Sequence, residues 1–376
     1  MTRIAIFFTS YGPYHIARLG GFYNRYSSLF GNIVGIELAR QEVEYAWQAE
    51  IEGLPFQIVS VIKGRQLEQV TFSRLLQQLY TVLSQLNPDV LVIAGYARPA
   101  MLATLLWSLW SQKIAILLSD TKHDDAPRSW SREVIKRWLV KQYKAALVAG
   151  QPHKRYLIEL DMPSEAIFLG YDVVGNESYH PNKIRNLPAP LPKPYFLAIN
   201  RFVPKKNLLF LISSYAAYRQ AVGSDAWDLI LCGDGQLRPQ IEQHITELGL
   251  QDTVHLPGFL QQDELLPYFA HASCFIHASI QEQWGLVVNE AMAAGLPVLV
   301  SNRCGCFEDL VIEGINGFGF DPENSQQLTD LMLKVSSSEI DLATMGQAAL
   351  EHIQMFSPDY FAQGLMQAVE YALAHR

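Results

Sequence analysis

His277-Ala-Ser-Ile-Gln-Glu-Gln-Trp-Gly-Leu-Val-Val-Asn-Glu-Ala-Met-Ala-Ala-Gly-Leu-Pro-Val-Leu-Val300 is followed by Ser301-Asn-Arg-Cys-Gly-Cys-Phe-Glu-Asp-Leu310 and then by Asn316-Gly-Phe-Gly-Phe-Asp321. An apolar strand, Cys274 to Ile276, runs into the polar residues Ser279 to Gln283. Gly285 opens a helix that stops at Gly295, where a glycine just past the last turn is the expected cap. A second buried strand, Pro297 to Val300, follows at once. The unit is strand–loop–helix–strand, with its loop at the carboxyl end of a strand. Open α/β sheets bind ligands there.

Two carboxylates mark that loop and helix: Glu282 and Glu290, with seven residues between them. The backbone amides of Gly285, Leu286 and Val287 at the helix start, together with the positive end of its dipole, suit a phosphate. Glu290, one turn further in, reaches a group beside that phosphate, such as a ribose diol, and Glu282 reaches what lies on its other side. A carboxylate accepts hydrogen bonds from paired sugar hydroxyls, so the spacing suggests a nucleotide-sugar held at each end. Taken alone, the pair reads rather as one Glu favouring the dipole and another on a solvated face.

More matches follow in order. Trp284-Gly285, the run Glu290-Ala-Met-Ala-Ala-Gly-Leu-Pro-Val298, Gly305 with Glu308, and Asn316-Gly317 through Asp321 together resemble the donor site of family-4-type retaining glycosyltransferases of group 1. Trp284 stands where that family usually has Phe, and Cys304-Gly305-Cys306 replaces a Gly-Gly pair, which bears on how closely the backbone approaches the donor sugar. The resemblance covers nearly all of the chain from Tyr195 onward and only loosely the first half. It implies a GT-B fold: two Rossmann-like, doubly wound α/β domains facing across a cleft, with a C-terminal helix crossing back to the first.

The bounds from composition agree. A chain of 376 residues has room for two full cores. With 49% hydrophobic and 18% charged residues it is globular. Lys+Arg 29 against Asp+Glu 37 leaves no bulk positive charge to support nucleic-acid binding. Cys232, Cys274, Cys304 and Cys306 form no disulfide framework, and Cys304 and Cys306 lack the usual zinc spacing, so a reducing cytoplasm is expected. The opening Met-Thr-Arg-Ile-Ala-Ile-Phe-Phe reads as a first buried strand, not a signal peptide. The run Met101 to Trp110 is too short to span a bilayer and reads as a helix buried against a sheet.

In the first half, apolar strands at Ile4–Phe8, Ile33–Ile36, Gln57–Val61, Asp89–Ala94, Ile114–Leu118, Ala145–Ala149 and Ala166–Leu169 alternate with helical stretches, including an amphipathic one over Phe72–Leu86. His180 to Pro194, with five prolines, reads as a linker. The expected boundaries are therefore 1–185 for an acceptor-binding domain, 195–356 for a donor-binding domain and 357–376 for the returning helix. Strands restart at Tyr195–Ile199, Asp228–Cys232 and Val254–Leu256.

Arg201 and Lys206 lie just past a strand in Ile199-Asn200-Arg-Phe-Val-Pro-Lys-Lys-Asn-Leu208. This is similar to the family's Gly-Arg…Lys-Gly element, whose Arg and Lys neutralise the donor diphosphate, with Asn200 and Asn207 in place of the glycines. Lys205 reads as a plain surface cation. Cys232-Gly233-Asp234-Gly235 resembles the glycine segment near the nucleotide base, and a simple turn explains Gly233 and Gly235 as well. In the first half, Ser119-Asp120-Thr-Lys-His123-Asp-Asp125 is another loop at a strand's carboxyl end. The family often has a His there that contacts the donor sugar, and Asp120 and His123 both qualify. Gly12 and His15 follow the first strand, where an acceptor or phosphate would be met; a part-buried structural His is the alternative for His15.

Arg128 to Lys144 is a basic amphipathic stretch with Trp130 and Trp138. It either packs its aromatics on the sheet and solvates its basic face, or makes peripheral contact with an anionic membrane. The reading is a retaining, metal-independent glycosyltransferase, without a cofactor, that moves a sugar from a nucleoside-diphosphate-sugar to a hydroxyl acceptor. Glu282, Arg201, Lys206 and either Asp120 or His123 are its expected catalytic groups. A nucleotide-sugar epimerase of the same fold is the enzymatic alternative, and a non-catalytic sugar-nucleotide-binding partner the other. The expected location is cytoplasmic, with the inner membrane face as a peripheral site.

Overall fold

The computed structural model of the protein describes residues 1–40, 51–64, 66–126 and 128–376. They divide into two compact units, one of residues 1–175 with 356–376 and one of residues 176–355.

The first unit is built on strands β1 (Arg3–Phe8), β2 (Asn32–Ala39), β3 (Gln57–Ile62), β4 (Val90–Ala94), β5 (Ile114–Ser119), β6 (Ala145–Val148) and β7 (Ile167–Leu169). Helices α1 (Pro13–Tyr26), α2 (Phe72–Leu86), α3 (Pro99–Trp110), α4 (Trp130–Val140) and α5 (Gln151–Glu159) connect them. All pairings are parallel, in the order β3-β2-β1-β4-β5-β6-β7. Such strands are buried on both faces, which is why they read as unbroken apolar runs. One face packs against α2, α3, α4 and α5, through residues such as Leu79, Leu83, Met101, Val140 and Leu157. Helix α2 shows how this is encoded: Leu75, Leu79 and Leu83 form its buried stripe, and Asn87, left-handed at φ 43°, ends it before Pro88.

The second unit opens with the short helix α6 (Pro181–Ile184) and has strands β8 (Tyr195–Ile199), β9 (Asp228–Cys232), β10 (Val254–Gly258), β11 (Cys274–His277), β12 (Val298–Ser301) and β13 (Gly317–Phe320). Its other helices are α7 (Leu208–Val222), α8 (Arg238–Glu247), α9 (Gln262–His271), α10 (Leu286–Ala293), α11 (Phe307–Leu310), α12 (Ser325–Ser336) and α13 (Leu342–Ile353). The parallel sheet runs β10-β9-β8-β11-β12-β13. The last helix, α14 (Pro358–Ala374), belongs to the first unit. Its stripe of Phe361, Leu365, Ala368, Val369 and Ala372 is fully buried against the second face of that sheet, beside α1.

Three expectations need revising. Residues 180–194 are not a free linker: 176–194 lie inside the second unit, and α6 starts at Pro181, where the missing N–H of a proline costs a helix nothing. Strand β13 lies where the glycines of Gly317-Phe-Gly-Phe320 suggested only a motif; Phe318 and Phe320 fill the core on the β12 side. Finally, α3 is buried against the sheet as expected, but α4 does not pack its aromatics there. Of α4 only Val140 is buried, and Trp130 and Trp138 are 83% and 58% exposed. Among the described residues no helix is long and apolar enough to cross a membrane.

Candidate active site

Strand order decides which loops meet. In the second sheet the strand order reverses between β8 and β11, so the loops leaving the carboxyl ends of these two neighbours diverge around a crevice. The β8 loop carries Asn200 to Lys206 and the β11 loop carries Ala278 to Trp284. They are tied together by Ile280 N–H donating to Lys205 O at 2.9 Å.

Glu282 is the centre of this meeting. Lys206 Nζ is in direct ion-pair contact with its Oε2, and Lys205 Nζ lies 3.9 Å from its Oε1. Ser279 Oγ donates to Oε2 at 3.2 Å, and His277 Nε2 is 3.3 Å from the same oxygen. The loop backbone is fixed from the other side, where Gly305 N–H donates to Glu282 O and Cys306 N–H to Trp284 O, both at 3.1 Å. The Cys-Gly-Cys segment thus pins the loop, with both cysteines buried and outside any disulfide among the described residues.

Burial alone would push the Glu282 carboxyl up, but the His277 hydrogen bond and the Lys206 ammonium outweigh it and hold it well below the usual carboxylate range. His277, fully buried, is pushed down by burial first and by Lys206 next, against the upward pull of Glu282. It is neutral at ordinary pH, and among the described residues its Nδ1 has no hydrogen-bond partner. The result is a buried carboxylate with more cationic charge around it than it can neutralise.

Gly285, at φ 108° and ψ 58°, turns the chain from this loop into α10, a conformation open to glycine and costly for other residues. Among the described residues no side chain caps the helix, so its first amides are available to an anion. Gly285, Leu286 and Val287 are part-exposed, and from Val288 onward the helix is buried. Trp284 Nε1–H donates to Asn289 Oδ1 at 2.9 Å, which holds the indole inside at 2% exposure. Glu290 is buried one turn in and accepts a 2.6 Å hydrogen bond from Tyr179 Oη.

Around the cations, Arg201 is exposed on the β8 loop. Asn207 takes the left-handed conformation (φ 58°) that Asn tolerates in place of Gly, and anchors the loop through Nδ2 to Pro322 O at 2.9 Å. Both amide atoms of Asn200 are buried without a partner among the described residues. Gly233 and Gly235 are required by the protein's own backbone: a Cβ at Gly233 would fall 1.8 Å from Asn200 O, and one at Gly235 2.7 Å from Phe202 O. Asn316 is likewise internal, bonding Leu310 O and Ile312 N to close the turn before β13.

In the first unit, Asp120 follows β5, and burial, then the Asp172 carboxylate, push it up to about 7. Asp172 itself pairs with the buried Arg18 at 3.0 Å, and Arg18 also bonds Val173 O and lies over the Tyr171 ring. His123 points elsewhere: its side chain is 66% exposed and its Nδ1 sits 2.7 Å from Glu159. His15 stacks on Phe8 and accepts from Gly12 N–H through Nδ1 (3.3 Å), while burial, then Arg18, lower it to about 3. At Gly12 a Cβ would meet nothing nearer than His15 Nδ1 at 3.9 Å.

The family model of the group 1 glycosyl transferases matches residues 180–352, nearly all of the second unit. An uncharacterised glycosyltransferase of Methanocaldococcus jannaschii is 28% identical over 174 residues, 46% of this chain and 47% of that protein. The chain thus spans about half the length of this curated relative. The D-inositol 3-phosphate glycosyltransferase of Corynebacterium glutamicum is 25% identical over 287 residues, 71% of this chain and 68% of that protein. Anabaena HepE, solved with UDP and glucose, superposes with a TM-score of 0.74 at 19% identity, covering 98% of this chain and 100% of that one. The fold is GT-B in class, two parallel-sheet α/β units of 7 and 6 strands.

Sequence reasoning missed several residues of this site. Lys205 reaches Glu282 and is not merely a surface cation. His277 and Ser279 were visible only as strand and loop residues, yet both touch the carboxylate. The alternation of polar residues in His277-Ala-Ser279 at a strand's end was the available signal. Tyr179, 111 residues from Glu290, carried none.

Proposed function

We propose that the chain is a retaining, metal-independent glycosyltransferase that moves a sugar from a nucleoside-diphosphate-sugar to a hydroxyl acceptor. The observation that carries this reading is the over-neutralised Glu282: a buried carboxylate held by Lys206, Lys205, His277 and Ser279 at the entrance to an uncapped helix. Negative charge grows on a leaving diphosphate as the glycosidic bond breaks. Lys206, Lys205 and Arg201, with the amides of Leu286 and Val287, are the groups that stabilise it. Glu282 then accepts hydrogen bonds from the sugar hydroxyls beside the reacting carbon, and Glu290 accepts from the ribose. The leaving phosphate oxygen takes the acceptor proton on the same face, so configuration is kept. Acceptor handling is assigned to the first unit, to Asp120 in preference to His123, because Asp120 sits in a charged cluster and His123 faces Glu159.

The donor base, sugar and acceptor are open classes. The test is incubation with nucleoside-diphosphate-sugars and candidate hydroxyl acceptors, with product analysis, in the presence of EDTA. A retained anomeric configuration in a new glycoside and full activity in EDTA are expected. Activity lost in EDTA and restored by Mg2+ would remove the metal-independent mechanism. An isomerised donor without transfer would show an epimerase instead.

A further inference from the structure

Helices α3 and α4 cover the same face of the first sheet, since both contribute to one core. Right-handed crossovers from β4 to β5 and from β5 to β6 place both on that face. Their outer surfaces are unusual for helices in that position. Leu106 and Trp110 on α3 are 55% and 84% exposed, and Trp130, Val134, Ile135 and Trp138 on α4 are all exposed. On α4 these residues recur at i, i+4, i+5 and i+8, one stripe along the helix. Isolated exposed hydrophobics need no explanation, whereas a contiguous aromatic stripe marks an interaction surface.

Charge says what covers it. The only acid in α4, Glu133, is turned inward, where it accepts from Tyr156 Oη and pairs with Lys136 and Arg128. Arg132 and Arg137 are exposed beside the tryptophans, and Lys141 at the helix end is half exposed in a pair with Asp161. The whole chain is acidic, at −8, so this stripe is a local reversal of sign. A second copy docking stripe to stripe would bring Arg132 and Arg137 of each copy together, a like-charge contact. Aromatic rings flanked by exposed cations instead match the interface of a bilayer with anionic headgroups. We infer that α3 and α4 form a membrane-docking face for anionic lipid. This inference stands apart from the proposed transfer reaction and from the nature of its acceptor.

The full chain is tested by co-sedimentation with phosphatidylcholine vesicles, with and without phosphatidylglycerol, at low and high salt. Sedimentation with the anionic vesicles at low salt, release at high salt, and a blue shift of tryptophan emission on binding are expected. Arg132→Glu with Arg137→Glu should weaken this partition by on the order of tenfold to thirtyfold or more, and Trp130→Ala with Trp138→Ala should reduce the blue shift to the share that Trp110 contributes. Melting temperatures of both double variants should match the parent, since none of the four side chains supports the core. Absence of sedimentation with anionic vesicles at low salt overturns the inference. So does wild-type binding by the charge-reversed variant, or a dimer in sedimentation velocity that Trp130→Ala with Trp138→Ala dissociates.

Discussion

Tyr179 donates a 2.6 Å hydrogen bond to the buried carboxylate of Glu290, across 111 residues of sequence. Glu290 therefore arrives at the helix start already oriented by a side chain from the segment that precedes α6. Removing the hydroxyl in Tyr179→Phe takes a charge-assisted bond from a buried acceptor and should cost about 1.5–3 kcal/mol of stability. Melting temperature should fall by several degrees, and affinity for a free nucleoside diphosphate should fall with it. An unchanged melting temperature would show that Glu290 is held by its other contacts.

The two lysines of the β8 loop are not equivalent. Lys206 touches Glu282 directly and is 12% exposed at its side chain, whereas Lys205 stands 3.9 Å away and is 32% exposed. Lys206→Ala should lower free diphosphate affinity about tenfold to a hundredfold, the worth of a charge-assisted bond. It should also lower stability, because a buried carboxylate loses its nearest counter-charge. Lys205→Ala should do less on both counts. A larger loss with Lys205→Ala, by isothermal titration and thermal melts, would reverse the assignment.

The pH dependence of stability has opposing parts. Glu282 is held below its ordinary 4.5 and His277 below 6.5, so the stability each contributes is present above those values and is lost as pH falls through them. Asp120 is raised from 3.8 to about 7, so the folded protein binds the extra proton between these values and stability falls as pH rises across that window. In thermal melts from pH 4 to 8, Asp120→Asn should shrink the decline between about 4 and 7, so that the rise from His277, Glu282 and the lowered His15 stands out more strongly. An Asp120→Asn curve parallel to wild type would mean that Asp120 titrates as an ordinary carboxyl.

Much of the fold is legible because its signals are local. The unbroken apolar strands, the leucine stripe of α2 and its Asn87-Pro88 stop fix elements without reference to anything distant. The meeting of Lys206 and Glu282 is not local: it depends on β8 lying next to β11, and alternation of strands and helices does not give strand order. Proline density hid α6, since the same residue that breaks a helix interior also starts one. The outward Trp130 and Trp138 were illegible for a different reason. An amphipathic period states that a face is apolar and leaves open whether the sheet or something else covers it.

The ends of the donor are separable by two substitutions. Glu290 is assigned to the ribose, which is present in free nucleoside diphosphate as well as in the donor, so Glu290→Gln should weaken binding of both. Glu282 is assigned to the departing sugar, and in the ligand-free protein it competes with phosphate for Lys206 and Lys205. Glu282→Gln should therefore hold or tighten diphosphate affinity while turnover falls about tenfold to a hundredfold, the worth of a charge-assisted bond lost in the transition state. The two variants also differ in acid: Glu282→Gln should lose the steep stability decline below pH 4.5, because the group that must be protonated there is gone. Titration of diphosphate, turnover and melts at pH 4 and 7 decide the matter together. If Glu282→Gln loses diphosphate affinity while Glu290→Gln keeps it, the donor binds in the opposite sense, with its sugar toward Glu290 and Tyr179.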